Sequence, residues 1–363
     1  MPKNHINFLQ YIFIITGAQL GIGLLQLPRI LAKGAGMDGW ISLVTSWSLS
    51  TLSSLIIIQI MKITDKTLFQ ILVSYLGRWI GNFLILFIFL YFSFFSFLIV
   101  QRSITFIKMW LIPETADYIL MLLFSISIYI IVQDGISTIG RYAKLIFPIN
   151  IGLLFFYGLA LKEHHNWQHL LPLFNNVSFA LRNTPSVLET FLGFEVAFFI
   201  YPNLKKKQFA SLGIIIANTI TLAVCLVITL SCFLFFSPDE ILQYNEPTLS
   251  MLKVLEFPFW EHVELYFFAL FIFVLSTTWM PHIYCAIHSI NNLLPKVNTS
   301  RQLCLLLFSF TTIMYFSPST MDPNNMLQKI SLYVGIFISY FCPLFLWVYI
   351  KGWKIFFRED NIQ

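Results

Sequence analysis

The sequence predicts an all-α integral membrane protein, a single domain over residues 1–363 with ten transmembrane helices in two inverted repeats of five, helices 1 and 6 being discontinuous. Three observations predict it. Apolar residues make up 58% of the 363 and charged residues only 11%, against about 25% charged in soluble domains, and mean hydropathy is +0.78. The apolar runs are long and continuous along the whole chain, which suits helices, because strands of a membrane barrel alternate over about ten residues. Two of the runs are interrupted by glycine at matching depth.

The spans fall at roughly 8–27, 40–60, 80–100, 117–133, 145–161, 186–201, 211–236, 264–287, 302–317 and 332–350, so the repeats cover about 8–161 and 186–350. The first follows MPKNHINFLQ with no small-residue cleavage site, and it reads as a helix rather than a removable signal peptide. It contains TGAQLGIGLLQLP from Thr16 to Pro28, with Gly17, Gly21 and Gly23. The third is aromatic from Tyr91 to Phe95, and Tyr91 is a candidate for a cavity wall. The loop after the fifth holds His164, His165 and His169, whose spacing does not converge on one helix face; a surface helix anchored by Trp167 accounts for it. The sixth reads SVLETFLGFEVAFFIYP from Ser186 to Pro202, interrupted at Gly193-Phe194-Glu195. The eighth carries Ser276, Thr277 and Thr278 ahead of Trp279 and Pro281.

Basic residues orient the chain. With the N-terminus inside, the inner segments hold fourteen of the 22 lysines and arginines, including Lys62, Lys66, Lys205, Lys206 and Lys207. The loop from Ser237 to Val263 carries five carboxylates against one lysine and falls outside. Both termini are then cytoplasmic. An odd number of spans per half forces the halves into opposite orientation, the geometry of inverted-repeat transporters.

Glycine interruptions free backbone N–H and C=O groups, which hydrocarbon cannot satisfy but a ligand can. The N-terminus of the half-helix after a break suits a carboxylate. Either Gly21 and Gly23 let helices pack closely, or they build a site; symmetric placement of two breaks favours the site. The candidate ligand-binding residues are Thr16, Gln19, Gly21, Ile22 and Gly23 in the first break, Gly193, Phe194 and Glu195 in the second, and Thr277 in the eighth span. Glu195 lies roughly 13 Å deep at 1.5 Å per residue, and a carboxylate there marks function. It pairs with a ligand amine, handles a proton, or hydrogen-bonds the broken backbone of the first span; otherwise it is a structural acid bonded to a neighbouring helix. Glu189 points about 120° away and reads as a solvated mouth residue.

No nucleophile–base pair, phosphate loop or metal cluster stands out, so the expectation is a non-enzyme with no cofactor. The five cysteines suggest no disulfide or metal framework. The net charge of +5 is modest and suggests no nucleic-acid partner, while Lys205 to Lys207 read as an anchor on anionic lipid of the bilayer.

The chain resembles the spore germination permease-like B subunits of nutrient germinant receptors, within the amino acid–polyamine–organocation superfamily. The resemblance rests on Gly21, Gly23 and Pro28; on Trp167 with Leu171-Pro172; on Phe191, Gly193, Phe194 and Glu195; on the lysines just inside them; and on FPFWEHVE from Phe257 to Glu264. It departs at Trp260-Glu261-His262, where a basic residue is expected nearby. The resemblance implies the inverted-repeat fold named for the leucine transporter, and partnership with a receptor A subunit and a C lipoprotein in the spore inner membrane. It also implies a small-molecule nutrient ligand, an amino acid or similar, whose binding triggers germination. A secondary amino acid transporter is the alternative, since sensing and transport share a binding step.

Overall fold

The computed structural model describes residues 5–255, 262–317 and 326–358. Five residues of the FPFWEHVE run, Phe257 to Glu261, lie outside the described residues.

The first apolar stretch is two helices, α1 (Phe8–Gln19) and α2 (Leu27–Ala35), separated by the single 3-10 turn Ile22–Leu25. Asn7 and Gln10 cap α1, the Asn7 N–H donating to Gln10 Oε1 at 2.8 Å. Pro28 opens α2, where its lost donor costs nothing, and Gly36 at φ +61° closes it. Next come α3 (Gly39–Thr64), the short α4 (Leu68–Leu76) with a Thr67–Gln70 capping box, and α5 (Arg78–Trp110). Then follow α6 (Asp117–Val132) and α7 (Ile136–Glu163). The surface helix expected around Trp167 is a single 3-10 turn, Trp167–Leu170, with Trp167 67% exposed.

The sixth stretch is also broken. Helix α8 (Val177–Val187) passes into a 3-10 turn at Leu188–Phe191, an extended Leu192, a second turn at Phe194–Val196 and the short α9 (Ala197–Ile200). Helix α10 (Ala210–Phe235) and the small α11 (Pro247–Leu252) come next, followed by α12 (Val263–Leu293) and α13 (Thr299–Phe316). The chain closes with α14 (Met326–Ile336) and α15 (Cys342–Arg358), joined through a π-helical turn at Phe337–Phe341.

Among the described residues, six helices are long and apolar enough to cross a membrane: Leu27–Thr64, Arg78–Trp110, Ile136–Lys162, Lys207–Phe235, Val263–Leu293 and Lys329–Lys354. The helices α1 and α6 are shorter but equally apolar. The outer faces of these helices expose Phe83, Leu123, Ile130 and Phe155, a surface that water would not tolerate and lipid does. Inside, α1 packs between α7, α10 and α12, so the first break sits in the middle of the bundle.

Polar contacts gather at two ends. At one end Ile6 and Leu204 form a parallel bridge, the Ile6 N–H donating to Asn203 O (3.0 Å) and the Lys205 N–H to Ile6 O (3.2 Å). Lys207 pairs there with Asp65 at 2.9 Å, and Lys354 donates to Ile63 O at 3.0 Å. At the other end Asp38 accepts from the Phe174 and Asn176 N–H groups at 2.9 and 2.7 Å, and the Asn166 N–H donates to Leu234 O at 2.8 Å. Arg29 bonds Asn245 there, and Lys108 pairs with Asp117.

Candidate functional site

The site begins with two backbones that cannot continue as helices. After Gln19 the chain turns at Leu20 (ψ 73°) and extends at Gly21 (φ −91°, ψ −175°). This leaves carbonyls at the end of α1 without helical partners. Thr278 of α12 supplies one: its hydroxyl lies 3.0 Å from both Gly17 O and Leu20 O. The expected neighbour Thr277 does something else, donating to Val274 O of its own helix at 2.6 Å. Its side chain is pressed on Gly17, where an added Cβ would meet Thr277 Oγ1 at 2.7 Å. Residue 17 is glycine because α1 and α12 touch there.

The second break nests against the first. Gly193 has φ +123°, and a Cβ on it would lie 2.6 Å from the carbonyl carbon and oxygen of Ala18. Only glycine allows both the torsion and the approach. Gln19 then stitches the breaks together. Its Nε2 donates to Phe191 O (3.1 Å) and to Asn218 Oδ1 (2.8 Å), while its Oε1 accepts from the Thr221 hydroxyl (2.6 Å). Asn218 passes the bonding on to Ser54 (3.1 Å) and Thr51 (3.3 Å) of α3. Thr16 reaches Ala217 O at 3.4 Å. All of these side chains except Thr51 are buried, so their polar groups are held where an unpaired one is costly.

Glu195 is buried beyond the crossing. Its Oε2 accepts the Gly193 N–H at 2.7 Å and its Oε1 accepts the Tyr91 hydroxyl at 3.1 Å. Ser339 of the π-helical turn stands beside both groups, its own carbonyl accepting from Ser53 at 2.6 Å. Phe194 meets the ring of Tyr340 edge-on at 5.3 Å. The carboxylate thus serves its own helix break; it does not reach the first one.

A cavity of about 110 Å³ lies between the two breaks. Of the expected residues, Gln19, Gly21, Ile22 and Gly23 line it. Gly193, Phe194, Glu195, Thr16 and Thr277 do not; they pack behind or beside it. Ser186, Glu189 and Thr190 line it from the second break, Arg102 from α5 and Thr278 from α12. Glu189, expected at a solvated mouth, is exposed and also lines the cavity. Arg102 lies two residues past the expected end of the third span, and α5 simply runs on to Trp110. A larger apolar groove of about 670 Å³ opens on the other side, between α4, α5, α9 and the π-helical turn, with Glu195 in its wall.

Sequence reasoning missed Arg102, Asn218 and Thr221. The last two carried a signal: they stand three apart on one face of a strongly apolar helix, and an asparagine rarely sits there unless it meets something.

Comparison with known proteins agrees with this frame. Residues 5–326 match the spore permease family, described as spore germination proteins. Spore germination protein A2 of Bacillus subtilis is 27% identical over 96% of this chain and 96% of its own length. Spore germination protein GerQB of Bacillus cereus is 28% identical over 69% of this chain and 70% of its own, and YndE of Bacillus subtilis is 22% identical over 97% and 98%. With the family match running through both helix breaks and the cavity between them, the chain belongs to the spore germination permease family, membrane proteins of sporulating cells that act in germination.

Proposed function

We propose that this chain is the nutrient-sensing subunit of a spore germinant receptor, binding a small polar nutrient in the cavity between the two helix breaks. The cavity itself carries the reading: interrupted membrane helices expose backbone where a ligand can use it, and two such interruptions meet here. Occupancy biases the packing of the breaks against α3, α5 and α12, and the receptor turns that bias into germination. The partners are an A subunit and a C lipoprotein of the spore inner membrane. The chain performs no catalysis of its own.

We read the chain as crossing the membrane ten times with both termini cytoplasmic. Residues 5–6, 63–65, 204–207 and 354 gather at one polar end, and 29–38, 108–117, 166–176 and 234–245 at the other. Following the chain between these ends requires one crossing each for α1 with α2, α3, α5, α8 with α9, and α10. Two more fit α6 and α7, and three fit the stretch from α12 to α15. On this reading the crossings are ten, in two halves of five, each half opening on a broken helix as in the leucine-transporter fold. Secondary transport is the second reading, favoured by the same broken-helix architecture.

Gly23→Phe tests the site. A Cβ at Gly23 meets nothing within 4 Å, so the ring would fill the cavity without clashing with the backbone. Spores carrying it should keep wild-type amounts of the protein while the nutrient concentration for half-maximal germination rises about tenfold or more, ~1.4 kcal/mol. Gly152→Phe, at an equally open position on the exposed side of α7, should leave the response intact. A normal response from Gly23→Phe spores would remove the cavity from the mechanism. Vesicles containing the purified chain that accumulate labelled amino acid would favour transport.

A further inference from the structure

Two side chains of opposite charge face the cavity. Arg102 reaches it from α5 and Glu189 from the 3-10 turn of the second break. The guanidinium uses one donor, Nη2, on Gln26 Oε1 at 2.6 Å, and a guanidinium has five. Glu189 is exposed and lines the cavity, and its carboxylate makes no hydrogen bond or ion pair among the described residues. The two charges are within electrostatic reach of each other, yet they form no ion pair. Both side chains line the same cavity, Arg102 half-buried and Glu189 exposed. Here the cavity stands between them.

We propose that Arg102 and Glu189 read the two ends of a zwitterion, a small α-amino acid, the guanidinium receiving its carboxylate and Glu189 its ammonium group. Arginine presents a planar fork matched to a carboxylate. An α-amino acid carries both charges on one carbon, so it fits a cavity with room for about seven water-sized groups. The Gly21–Gly23 backbone lines the same cavity and leaves space for the substituent. A sugar or nucleoside would leave both charges unpaired on closure, which costs more than its neutral hydrogen bonds return. Selectivity for the zwitterion then comes from two side chains outside the glycine breaks. This inference rests on the reading of the cavity as the nutrient site.

The test is binding to the purified full-length protein by equilibrium dialysis, first with a pool of tritiated L-amino acids, then with glucose and inosine as uncharged probes. The retained amino acid is compared with its own amide and its own N-acetyl derivative as competitors. In the wild type both derivatives should compete about tenfold or more weakly than the parent, as expected when a charged hydrogen-bond partner is lost. Arg102→Gln should abolish discrimination against the amide, and Glu189→Gln discrimination against the N-acetyl form, while Arg102→Lys keeps part of it. Equal competition by parent and derivatives on the wild type overturns the proposal without any variant having to fold. An uncharged probe that binds the wild type and is lost in Gly23→Phe overturns it too, but leaves the nutrient site standing. If no probe binds the wild type, site and inference fall together.

Discussion

Gly193 occupies a position where no other residue fits. Its φ of +123° is one that side chains with a Cβ rarely adopt, and a methyl group there would sit 2.6 Å from the Ala18 carbonyl. Gly193→Ala should destabilise the fold by about 1–3 kcal/mol through overpacking, with backbone strain adding about as much again. Gly23→Ala, with open space around its Cβ, should behave as wild type. Thermal unfolding of the two purified variants in detergent checks this; equal midpoints would mean that the breaks do not nest. The glycines were legible in the sequence because they interrupt two apolar runs, where glycine serves either close packing or a break. Their division of labour was not legible. Which glycine permits contact and which opens space depends on what stands opposite, and that is a long-range fact.

At the scale of the element, each broken helix is completed by side chains from helices distant in sequence. Thr278 of α12 caps the end of α1, and Gln19 of α1 caps the turn that ends at Phe191. Thr278→Val should cost about 1–3 kcal/mol by leaving two buried carbonyls unpaired. Thr277→Val, losing only a bond within its own helix, should cost less than Thr278→Val. Melting the two variants side by side decides between them, and an equal loss would show that the cap is not what holds the break. The sequence pointed to this hydroxyl cluster but not to the right member. Neighbouring residues on a helix point about 100° apart, and choosing between them requires the rotation of α12, which tertiary packing sets. The same limit hid Arg102. Apolar windows end at the first charge, whereas α5 continues past Arg102 and Lys108 because Gln26 and Asp117 receive them.

For the whole molecule, the membrane class was legible from composition and the helix positions from the apolar runs, since burial in lipid leaves a strong imprint on every residue. Orientation is a matter of which polar end faces the cytoplasm. In sealed protoplasts, with Cys304 and Cys342 replaced by serine, an impermeant maleimide should reach Asn245→Cys from outside but neither His5→Cys nor Lys206→Cys. Labelling of His5→Cys and Asn245→Cys from the same face would break the ten-crossing path. The pairing of Ile6 with Leu204 ties the entrance of the first helix to the exit of the sixth through main-chain atoms alone. Its hydrogen bonds carry no side-chain signature, although Ile6 and Leu204 are themselves buried. At the exposed Lys205 every residue except proline retains the N–H that bonds Ile6 O, so an alanine scan would pass over the contact and only a proline scan would find it. The joint between the start of α1 and the turn after α9 is thereby left free to drift at Lys205 while its geometry stays the same.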